Sequence, residues 1–285
     1  MRVLVTGAGG QLGRELVEAF TADDGAGSPA DVVGADRARL DITDRLAVRE
    51  CLATVRPEVV VHAGAWTAVD DCEDDPDRAY RVNALGTRHV AEAARAAGSH
   101  LCYVSTDYVF DGRAEHPYLE WDPPNPLSVY GRSKLGGEAE LGPDATVVRT
   151  SWVSGRHGAN VVKTVLRLLS GDRPLRFVAD QRGGPTFTAD LAPAIRRLVA
   201  ERRPGLFHVT NQGEATRYDM ARAVALAAGR NPGQVQPIAT SELDPPPRAP
   251  RPAYSVLDNA ALRLSGLPLL PPWQESLERL VRELS

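Results

Sequence analysis

The sequence is poor in cysteine and has no long apolar run. Its three cysteines, Cys51, Cys72 and Cys102, form no Cys-x-x-Cys pair, so neither a disulfide framework nor a zinc site is predicted, and a reducing compartment fits. No stretch approaches the roughly 20 apolar residues that are needed to span a bilayer, and no basic, signal-like segment precedes the first apolar run at Val3. We therefore expect a cytoplasmic protein without a membrane partner.

The chain also lacks an excess of positive charge. Its 33 Lys and Arg residues against 37 Asp and Glu give a formal net charge of -4, and no run of Lys or Arg occurs. This removes the usual electrostatic case for binding nucleic acid, although one basic pocket for a phosphate-bearing ligand stays open. With 43% hydrophobic residues, the chain can bury a substantial core, so we expect a globular protein whose partner is a small molecule.

Short β-branched runs alternate with longer Ala/Leu/Arg-rich segments across the first half of the chain, which is typical of strand-helix units around a parallel sheet. The predicted strands are Arg2–Thr6, Asp31–Ala35, Val59–Ala63, His100–Ser105 and Thr146–Thr150. The predicted helices are Gln11–Phe20, Arg45–Val55, Pro76–Ala97 and a segment that opens near Ser128. The pattern predicts an α/β fold with a doubly wound parallel sheet.

After residue 150 the pattern changes to loop-rich stretches with a proline cluster at Pro245–Pro252, and prolines rarely continue a regular element. Helices are predicted at Asn160–Ser170 and Ala189–Ala200, and one more strand at Phe207–Thr210. We therefore expect the second half to interleave with the first instead of forming a clean second domain.

Three glycines, Gly7, Gly10 and Gly13, follow the first predicted strand and open an amphipathic helix that includes Gln11 and Leu12. Glycine has no Cβ, so it permits a tight turn and lets the backbone approach a pyrophosphate, whose charge the helix N–H groups and dipole stabilise. Such spacing also arises by chance in flexible turns, but its place between a strand and a helix favours a dinucleotide cofactor.

Asp36 and Arg37 stand at the predicted end of the second strand. An acid there would hydrogen-bond the adenosine ribose, whereas an arginine would pair with a 2′-phosphate. Because both are present, the sequence does not separate NADH from NADPH, and a solvated strand end is the alternative interpretation.

Tyr130 and Lys134 are four residues apart, so both side chains would project from one face of a helix. A neighbouring ammonium favours the phenolate and lowers the pKa of a tyrosine, which suits proton transfer. Ser105, Thr106 and Asp107 follow the fourth predicted strand, at the edge where open α/β sheets bind ligands. We predict catalysis here; the alternatives are a solvated helix pair and a strand-end cap.

These motifs together resemble the extended short-chain dehydrogenase/reductase superfamily, whose pattern is matched by Gly7, Gly10, Gly13, Thr106, Tyr130 and Lys134. Within it, longer strings over nearly the whole chain are similar to the dTDP-4-dehydrorhamnose reductase family. These strings are His62–Asp70, Val82–Ala84, Ser105–Gly112, Val129–Glu138, Arg149–Val153, Asp180–Thr186 and Arg251–Asp258.

The resemblance implies that NADPH or NADH reduces the C4 keto group of dTDP-4-dehydro-L-rhamnose to dTDP-L-rhamnose. Tyr130 would donate a proton to the C4 oxygen, Thr106 would hold that oxygen, and Lys134 would tune the tyrosine. The implied Rossmann-like NAD(P)-binding domain is residues 1–150, with 189–211 returning to it, and the smaller sugar-nucleotide-binding subdomain is 151–188 and 212–285.

The resemblance also implies the residues that contact each ligand. For the cofactor these are Gly7, Gly10, Gln11, Leu12, Gly13, Asp36, Arg37, Asp41, Ile42, Ala63, Gly64, Ala65, Tyr130 and Lys134. For the substrate they are Ser105, Thr106, Asp107, Trp152, Arg182 and Arg251. Arg182 stands where a tyrosine is common in the family, and it would add a positive group near the diphosphate.

Some members of the family bind magnesium through glutamates at a dimer interface, and Glu15 matches one such position. Charged residues on a first helix are most often surface residues, so Glu15 is interpreted as an ordinary surface acid and no required metal is predicted. Both a monomer and a homodimer stay open.

Three alternative functions remain. The first is a reductase of a related dTDP-4-keto-6-deoxysugar in an antibiotic or cell-wall pathway. The second is a non-catalytic regulatory subunit similar to the β subunit of methionine adenosyltransferase. The third is an epimerase or dehydratase of the same superfamily; dehydratases of this group carry a glutamate where Tyr108 stands here, and elimination of water needs that second acid-base group.

Overall fold

The computed structural model describes residues 1–22, 30–171 and 173–285. Over these residues the strands are β1 (Arg2–Thr6), β2 (Asp31–Ala35), β3 (Val59–His62), β4 (His100–Thr106), β5 (Thr146–Thr150), β6 (Val153–Ser154), β7 (Leu175–Val178), β8 (Arg182–Gly183), β9 (Thr186–Phe187), β10 (Gly205–His208), β11 (Ala215–Thr216) and β12 (Val235–Ile238). The largest sheet in this part of the chain has six strands in the order β10-β5-β4-β3-β1-β2, and all its pairings are parallel.

The α-helices of the same residues are α1 (Gln11–Thr21), α2 (Arg45–Val55), α3 (Val69–Asp74), α4 (Pro76–Tyr80), α5 (Gly86–Ala97), α6 (Val129–Glu138), α7 (Val161–Leu168), α8 (Thr188–Ala200), α9 (Arg217–Ala227), α10 (Ala260–Leu264) and α11 (Trp273–Leu284). Among them, none combines the length and the apolar composition that crossing a membrane requires.

Helices cover both faces of the sheet because its strands are apolar on both sides. Along β1, Val3 and Val5 face a core that contains residues of α1 and α8. Leu4, between them, faces the opposite core, which contains residues of α2 and α5. All three side chains are fully buried. The doubly wound, Rossmann-like α/β fold predicted from the sequence is therefore confirmed.

The order of the strands determines where a ligand can bind. The chain passes from β1 to β2 on one side and then returns to β3 on the other side of β1. Loops that leave the carboxyl ends of β1 and β3 therefore diverge and leave a crevice between them, which is where open α/β sheets bind ligands.

Part of the second half of the chain packs on this sheet or joins it. Helix α8 packs on α1, and β10 pairs in parallel with β5, with Phe207 opposite Val148. Much of the remainder, including α7, α9 and α11, surrounds a second core built on Phe187, Met220 and Leu277. From the second half of the chain, Ser151, Trp152, Val153 and Arg217 line the crevice.

The single helix predicted over Pro76–Ala97 is wrong in one respect. The backbone runs through α4, a π-helical stretch at Arg81–Leu85, and then α5. Within that stretch Asn83 is 1% exposed, and its side chain bonds to groups outside the helix, as described below. Such π-turns insert a residue into the helical ladder and are frequent at functional sites, and periodicity alone does not reveal them.

Candidate active site

A cleft of about 760 Å³ opens at the carboxyl ends of the strands of the sheet. Sixteen of the residues predicted to contact ligands line it. They are Gly7, Gly10, Gln11, Leu12, Gly13, Asp36, Arg37, Ala63, Gly64, Ala65, Ser105, Thr106, Asp107, Tyr130, Lys134 and Trp152. Four others, Asp41, Ile42, Arg182 and Arg251, are outside this set.

The glycine turn after β1 is packed so closely that side chains would not fit. Gly7 has a φ of +71°, and a Cβ on it would lie 2.7 Å from the Cα of Gly64. A Cβ on Gly13 would lie 2.1 Å from the carbonyl oxygen of Gly7. Helix α1 begins directly after Gly10, and in the described structure no side chain caps its first turn. The exposed N–H groups and the helix dipole therefore form a site for phosphate.

Asp36 and Arg37 lie beside this turn at the end of β2 and are exposed. Asp36 accepts a hydrogen bond from the backbone N–H of Arg39 at 3.0 Å, and a Cβ on Gly9 would lie 3.2 Å from the Cβ of Asp36. Asp36 and Arg37 therefore both lie at the rim of the cleft. The choice between a ribose hydroxyl and a 2′-phosphate stays open.

Asp41 and Ile42 make contacts of another kind. The Asp41 carboxylate accepts hydrogen bonds from the backbone N–H and the hydroxyl of Thr43, at 2.9 and 2.8 Å, and these bonds lower the pKa of Asp41. Ile42 is buried against Gly86, with 3.0 Å from its Cδ1 to the position of a Cβ there. Their predicted contact with the adenine stays a prediction.

Tyr130 and Lys134 project from α6, whose N-terminus is capped by the hydroxyl of Ser128, which accepts from the N–H of Gly131 at 3.1 Å. Lys134 is 2% exposed, and its ammonium donates to the carbonyl oxygen of Val104 at 2.8 Å. Burial lowers the pKa of Lys134 to about 7, and the nearby charge of Glu138 opposes that change.

Burial raises the pKa of Tyr130 well above its ordinary value, and a hydrogen bond with Thr106 opposes the rise. Tyr130 is therefore protonated at neutral pH and suited to donate a proton to a ligand. The sequence predicts that Lys134 lowers the pKa of Tyr130. This stays a prediction, because the Lys134 ammonium donates to the carbonyl oxygen of Val104.

Thr106 and Asp107 lie at the end of β4, next to Tyr130 in the cleft. The Thr106 hydroxyl donates to the Asp107 carboxylate at 3.1 Å, and Ser255 donates to the same carboxylate at 2.6 Å. Burial raises the pKa of Asp107 to about 6, while these two bonds oppose the rise. Tyr108 follows, with its ring edge-on to Tyr130 at 5.6 Å between centroids.

Ser105 lines the cleft, but its hydroxyl is engaged elsewhere. It donates to the carboxylate of Glu138 at 2.6 Å, and Arg149 donates to the same carboxylate at 2.9 and 2.7 Å. The bidentate pair is almost fully buried, with side-chain exposures of 4% for Arg149 and 11% for Glu138. This network joins β4, β5 and α6, the helix that carries Tyr130 and Lys134.

Asn83 was not identified as a site residue by its motif alone. Its amide oxygen accepts from the backbone N–H of Trp66 at 2.8 Å, and its amide nitrogen donates to the Trp66 carbonyl at 3.1 Å and to Ser133 at 2.9 Å. Trp66 is in the loop after β3, and Ser133 is on α6. Asn83 therefore fixes the helix that carries Tyr130 to the wall of the cleft.

The arginines are arranged differently from the sequence prediction. Arg182 pairs with Glu214 at 3.0 Å, and Arg251 forms a two-pronged pair with Asp70 at 2.9 and 2.7 Å. Arg217, which no motif singled out, lines the cleft instead. Its guanidinium carbon lies 3.5 Å from the centroid of the Trp152 ring.

Glu15 differs from the surface acid expected on α1. It is 9% exposed and accepts a hydrogen bond from Thr188 at 3.2 Å. Its carboxylate lies close to the Glu18 carboxylate and the His157 imidazole, so that one ligand atom of each of the three groups falls within 4.8 Å of the others. Arg156 forms ion pairs with Glu15 and Glu18, so a protein cation already compensates these carboxylates.

Comparison with known proteins gives consistent results. The family model described as the RmlD substrate binding domain matches residues 1–285. A dTDP-4-dehydrorhamnose reductase of Mycolicibacterium smegmatis is 42% identical over 283 residues, which are 97% of this chain and 84% of that protein. A dTDP-4-keto-6-deoxy-D-glucose reductase of Streptomyces niveus is 41% identical over 280 residues, which are 97% of this chain and 95% of that protein.

Solved structures include a similar one. The crystal structure of a dTDP-4-dehydrorhamnose reductase from Bacillus anthracis in complex with NADP is 38% identical, covers 99% of both chains and superposes with a TM-score of 0.92.

Proposed function

Since the chain belongs to the RmlD substrate binding domain family, we propose that it is an NAD(P)H-dependent reductase that converts dTDP-4-dehydro-L-rhamnose to dTDP-L-rhamnose. The observation that carries this proposal is the meeting of the glycine turn, Thr106, Tyr130 and Lys134 in one cleft. These groups come from three separate segments of the chain, since Tyr130 and Lys134 share helix α6. Their convergence supports a reduction in which a cofactor and a proton donor act on one carbonyl.

The cofactor would be held by the glycine turn and the start of α1, with its adenosine ribose at Asp36 or its 2′-phosphate at Arg37. This fit rests on the tight packing around Gly7 and Gly13, where a Cβ would approach backbone atoms to within 2.7 and 2.1 Å. When bound, the reduced nicotinamide supplies the hydride that becomes the hydrogen on C4.

Tyr130 supplies the proton. Its hydroxyl transfers H⁺ to the C4 oxygen, so that a new O–H bond completes the alcohol and the tyrosine is left as phenolate. The ammonium of Lys134 lies on the same helix face and stabilises that phenolate. The Thr106 hydroxyl, which now donates to Asp107 at 3.1 Å, holds the C4 oxygen when it turns toward the substrate.

We assign residues 1–150 and 189–211 to the cofactor and residues 151–188 and 212–285 to the sugar nucleotide. Trp152 and Asp107 line the cleft, which supports their contact with the substrate. Arg182 and Arg251 are paired with Glu214 and Asp70, and their contact with the substrate stays a prediction.

The experiment is to supply purified protein with dTDP-4-dehydro-L-rhamnose and either NADPH or NADH and to follow the absorbance of the reduced nicotinamide. Tyr130→Phe removes the proton donor and should lower kcat by about 10²- to 10⁴-fold. The matched control is Tyr80→Phe, because Tyr80 is 40% exposed on α4 and should leave the rate unchanged. NMR analysis of the product identifies the sugar.

Absence of oxidation by the wild-type protein would refute the proposal for this sugar. If the protein reduces dTDP-4-keto-6-deoxy-D-glucose but not dTDP-4-dehydro-L-rhamnose, the alternative of a reductase for a related dTDP-4-keto-6-deoxysugar is favoured. Co-purification with a partner enzyme, without turnover of either sugar, would favour a regulatory subunit. Dehydration is disfavoured because Tyr108 follows Asp107 in the cleft, at the position where those dehydratases carry an additional acid-base carboxylate.

A further inference from the structure

Three arginines of the second half of the chain lie around the substrate side of the molecule, and their surroundings differ. Arg182 is 45% exposed and pairs with Glu214, and Arg251 is clamped by both oxygens of Asp70. For Arg217, no carboxylate of the described ranges 1–22, 30–171 and 173–285 lies within ion-pairing distance. Of these three guanidinium groups, only that of Arg217 lines the cleft.

Arg217 is held firmly in place. It is the first residue of α9, and the preceding Thr216 forms a capping box with Asp219, with bonds of 3.0 Å in both directions. Its guanidinium stacks on the Trp152 ring at 3.5 Å. Stacking on one face leaves the N–H groups around the guanidinium edge available for an acceptor.

The charge of Arg217 is not compensated by a close protein anion. Burial lowers the pKa of the guanidinium, whereas the acidic groups of Tyr108 and Asp107 raise it and Arg251 lowers it further. Asp107 is itself a weak counter-ion, because burial raises its pKa to about 6. Arg217 is partly buried, and withdrawing a cation from water without a close protein anion is costly, so this position in the cleft is suited to an anionic ligand.

The cleft contains a separate place for the phosphates of the cofactor, namely the glycine turn at the start of α1. Arg217 instead shares the cleft wall with Trp152, Asp107 and Tyr108. A guanidinium presents a planar fork of donors that matches phosphate oxygens better than an ammonium does.

We propose that Arg217, stacked on Trp152, binds the diphosphate of the nucleotide portion of the substrate. The inference rests on the proposed function and refines it, since it assigns the diphosphate to Arg217 and not to Arg182 or Arg251. Trp152 holds the guanidinium plane, and the N–H edge donates to the phosphate oxygens.

The test is a comparison of dTDP, dTMP and thymidine as ligands by isothermal titration calorimetry, with saturating NADPH. The Arg217→Gln variant should bind dTDP about 10- to 100-fold more weakly than the wild type, the loss expected for hydrogen bonds to a charged group. Thymidine binding should be unchanged, and dTMP should show an intermediate loss. Arg217→Lys should recover part of the dTDP affinity, because it keeps the charge without the fork.

The matched control is Arg222→Gln, on the same helix, because Arg222 is exposed and lies 5.5 Å from the ring of Tyr218. It should bind all three ligands like the wild type. The proposal is overturned if Arg217→Gln binds dTDP as tightly as the wild type, or if thymidine loses as much affinity as dTDP. An equal loss of NADPH affinity would also overturn it, and so would a wild type that binds no dTDP.

The outcome is separable from that of the proposed function. Turnover of dTDP-4-dehydro-L-rhamnose is measured independently of nucleotide binding. If dTDP binds in an Arg217-dependent way but no keto sugar is reduced, the proposed reaction is wrong and the diphosphate site is supported. If the sugar is reduced and Arg217→Gln leaves both dTDP affinity and KM unchanged, the diphosphate site is wrong and the reaction stands.

Discussion

Gly13→Ala should damage cofactor binding through the backbone alone. The added Cβ would lie 2.1 Å from the Gly7 carbonyl oxygen and 2.8 Å from the Cα of Ala8, although such contacts are essentially never shorter than 3.0 Å. Relief therefore requires the turn and α1 to separate by about 1 Å. The turn cannot move away from α1 toward Gly64, because the two backbones are already close there: a Cβ position on Gly7 is 2.7 Å from the Cα of Gly64.

This separation displaces the N–H groups that we assign to the cofactor phosphates. Loss of one or two charge-assisted hydrogen bonds corresponds to about 1.5–3 kcal/mol each, so the Kd for NADPH should rise by at least about 10-fold. Overpacking of this kind also destabilises the fold by about 1–3 kcal/mol, which lowers the Tm by about 2–4 °C for each kcal/mol.

The assay is titration of NADPH fluorescence in the wild type and in Gly13→Ala, together with melting curves of both proteins. Gly142→Ala is the matched control, because its Cβ would lie 3.8 Å from the Arg95 guanidinium, an ordinary contact. A Gly13→Ala variant whose NADPH affinity and Tm equal those of the control would refute the reasoning.

Two further predictions concern helix α6. Burial lowers the pKa of Lys134 from 10.5 to about 7, so between these values the folded protein binds fewer protons than the unfolded chain and its stability rises with pH. Lys134→Met should therefore raise the Tm most below pH 7, with a gain that shrinks as the pH rises toward 10.5; parallel Tm curves for the two proteins would contradict this. Asn83→Ala removes two partly buried hydrogen bonds to Trp66 and one buried hydrogen bond to Ser133 and should lower the free energy of unfolding in urea by about 2–4 kcal/mol. A loss no larger than that of the exposed Asn231→Ala would show that the amide does not hold α6.

Much of the site follows from local patterns. Gly7, Gly10 and Gly13 are recognisable in the sequence because a tight turn between a buried strand and a helix needs residues without a Cβ, and glycine is the residue that lacks one. Tyr130 and Lys134 are recognisable because their spacing places both on one helix face. The strand periodicities also predict the parallel sheet, and its order β10-β5-β4-β3-β1-β2 places the ends of β1, β3 and β4 at one edge.

Other parts do not follow from local patterns. The π-helical stretch within the predicted Pro76–Ala97 helix contains Asn83, which donates to Ser133, 50 residues away. The pKa of Asp107 depends on burial and on Ser255, 148 residues away. Glu15 has an ordinary sequence context, but α8 covers it through Thr188. In each case the two residues are far apart in the sequence, and only the folded chain brings them into contact.

The sequence by itself determined the α/β fold, the glycine turn and the Tyr130–Lys134 pair, because turn sterics and the periods of strands and helices act between neighbours in the chain. Only the tertiary structure decided which arginine is available to a ligand. Arg182, Arg217 and Arg251 carry the same charge. In the folded chain, Arg182 pairs with Glu214 and Arg251 pairs with Asp70. The third meets Trp152 instead, because pairing depends on distances between segments that local pattern does not specify.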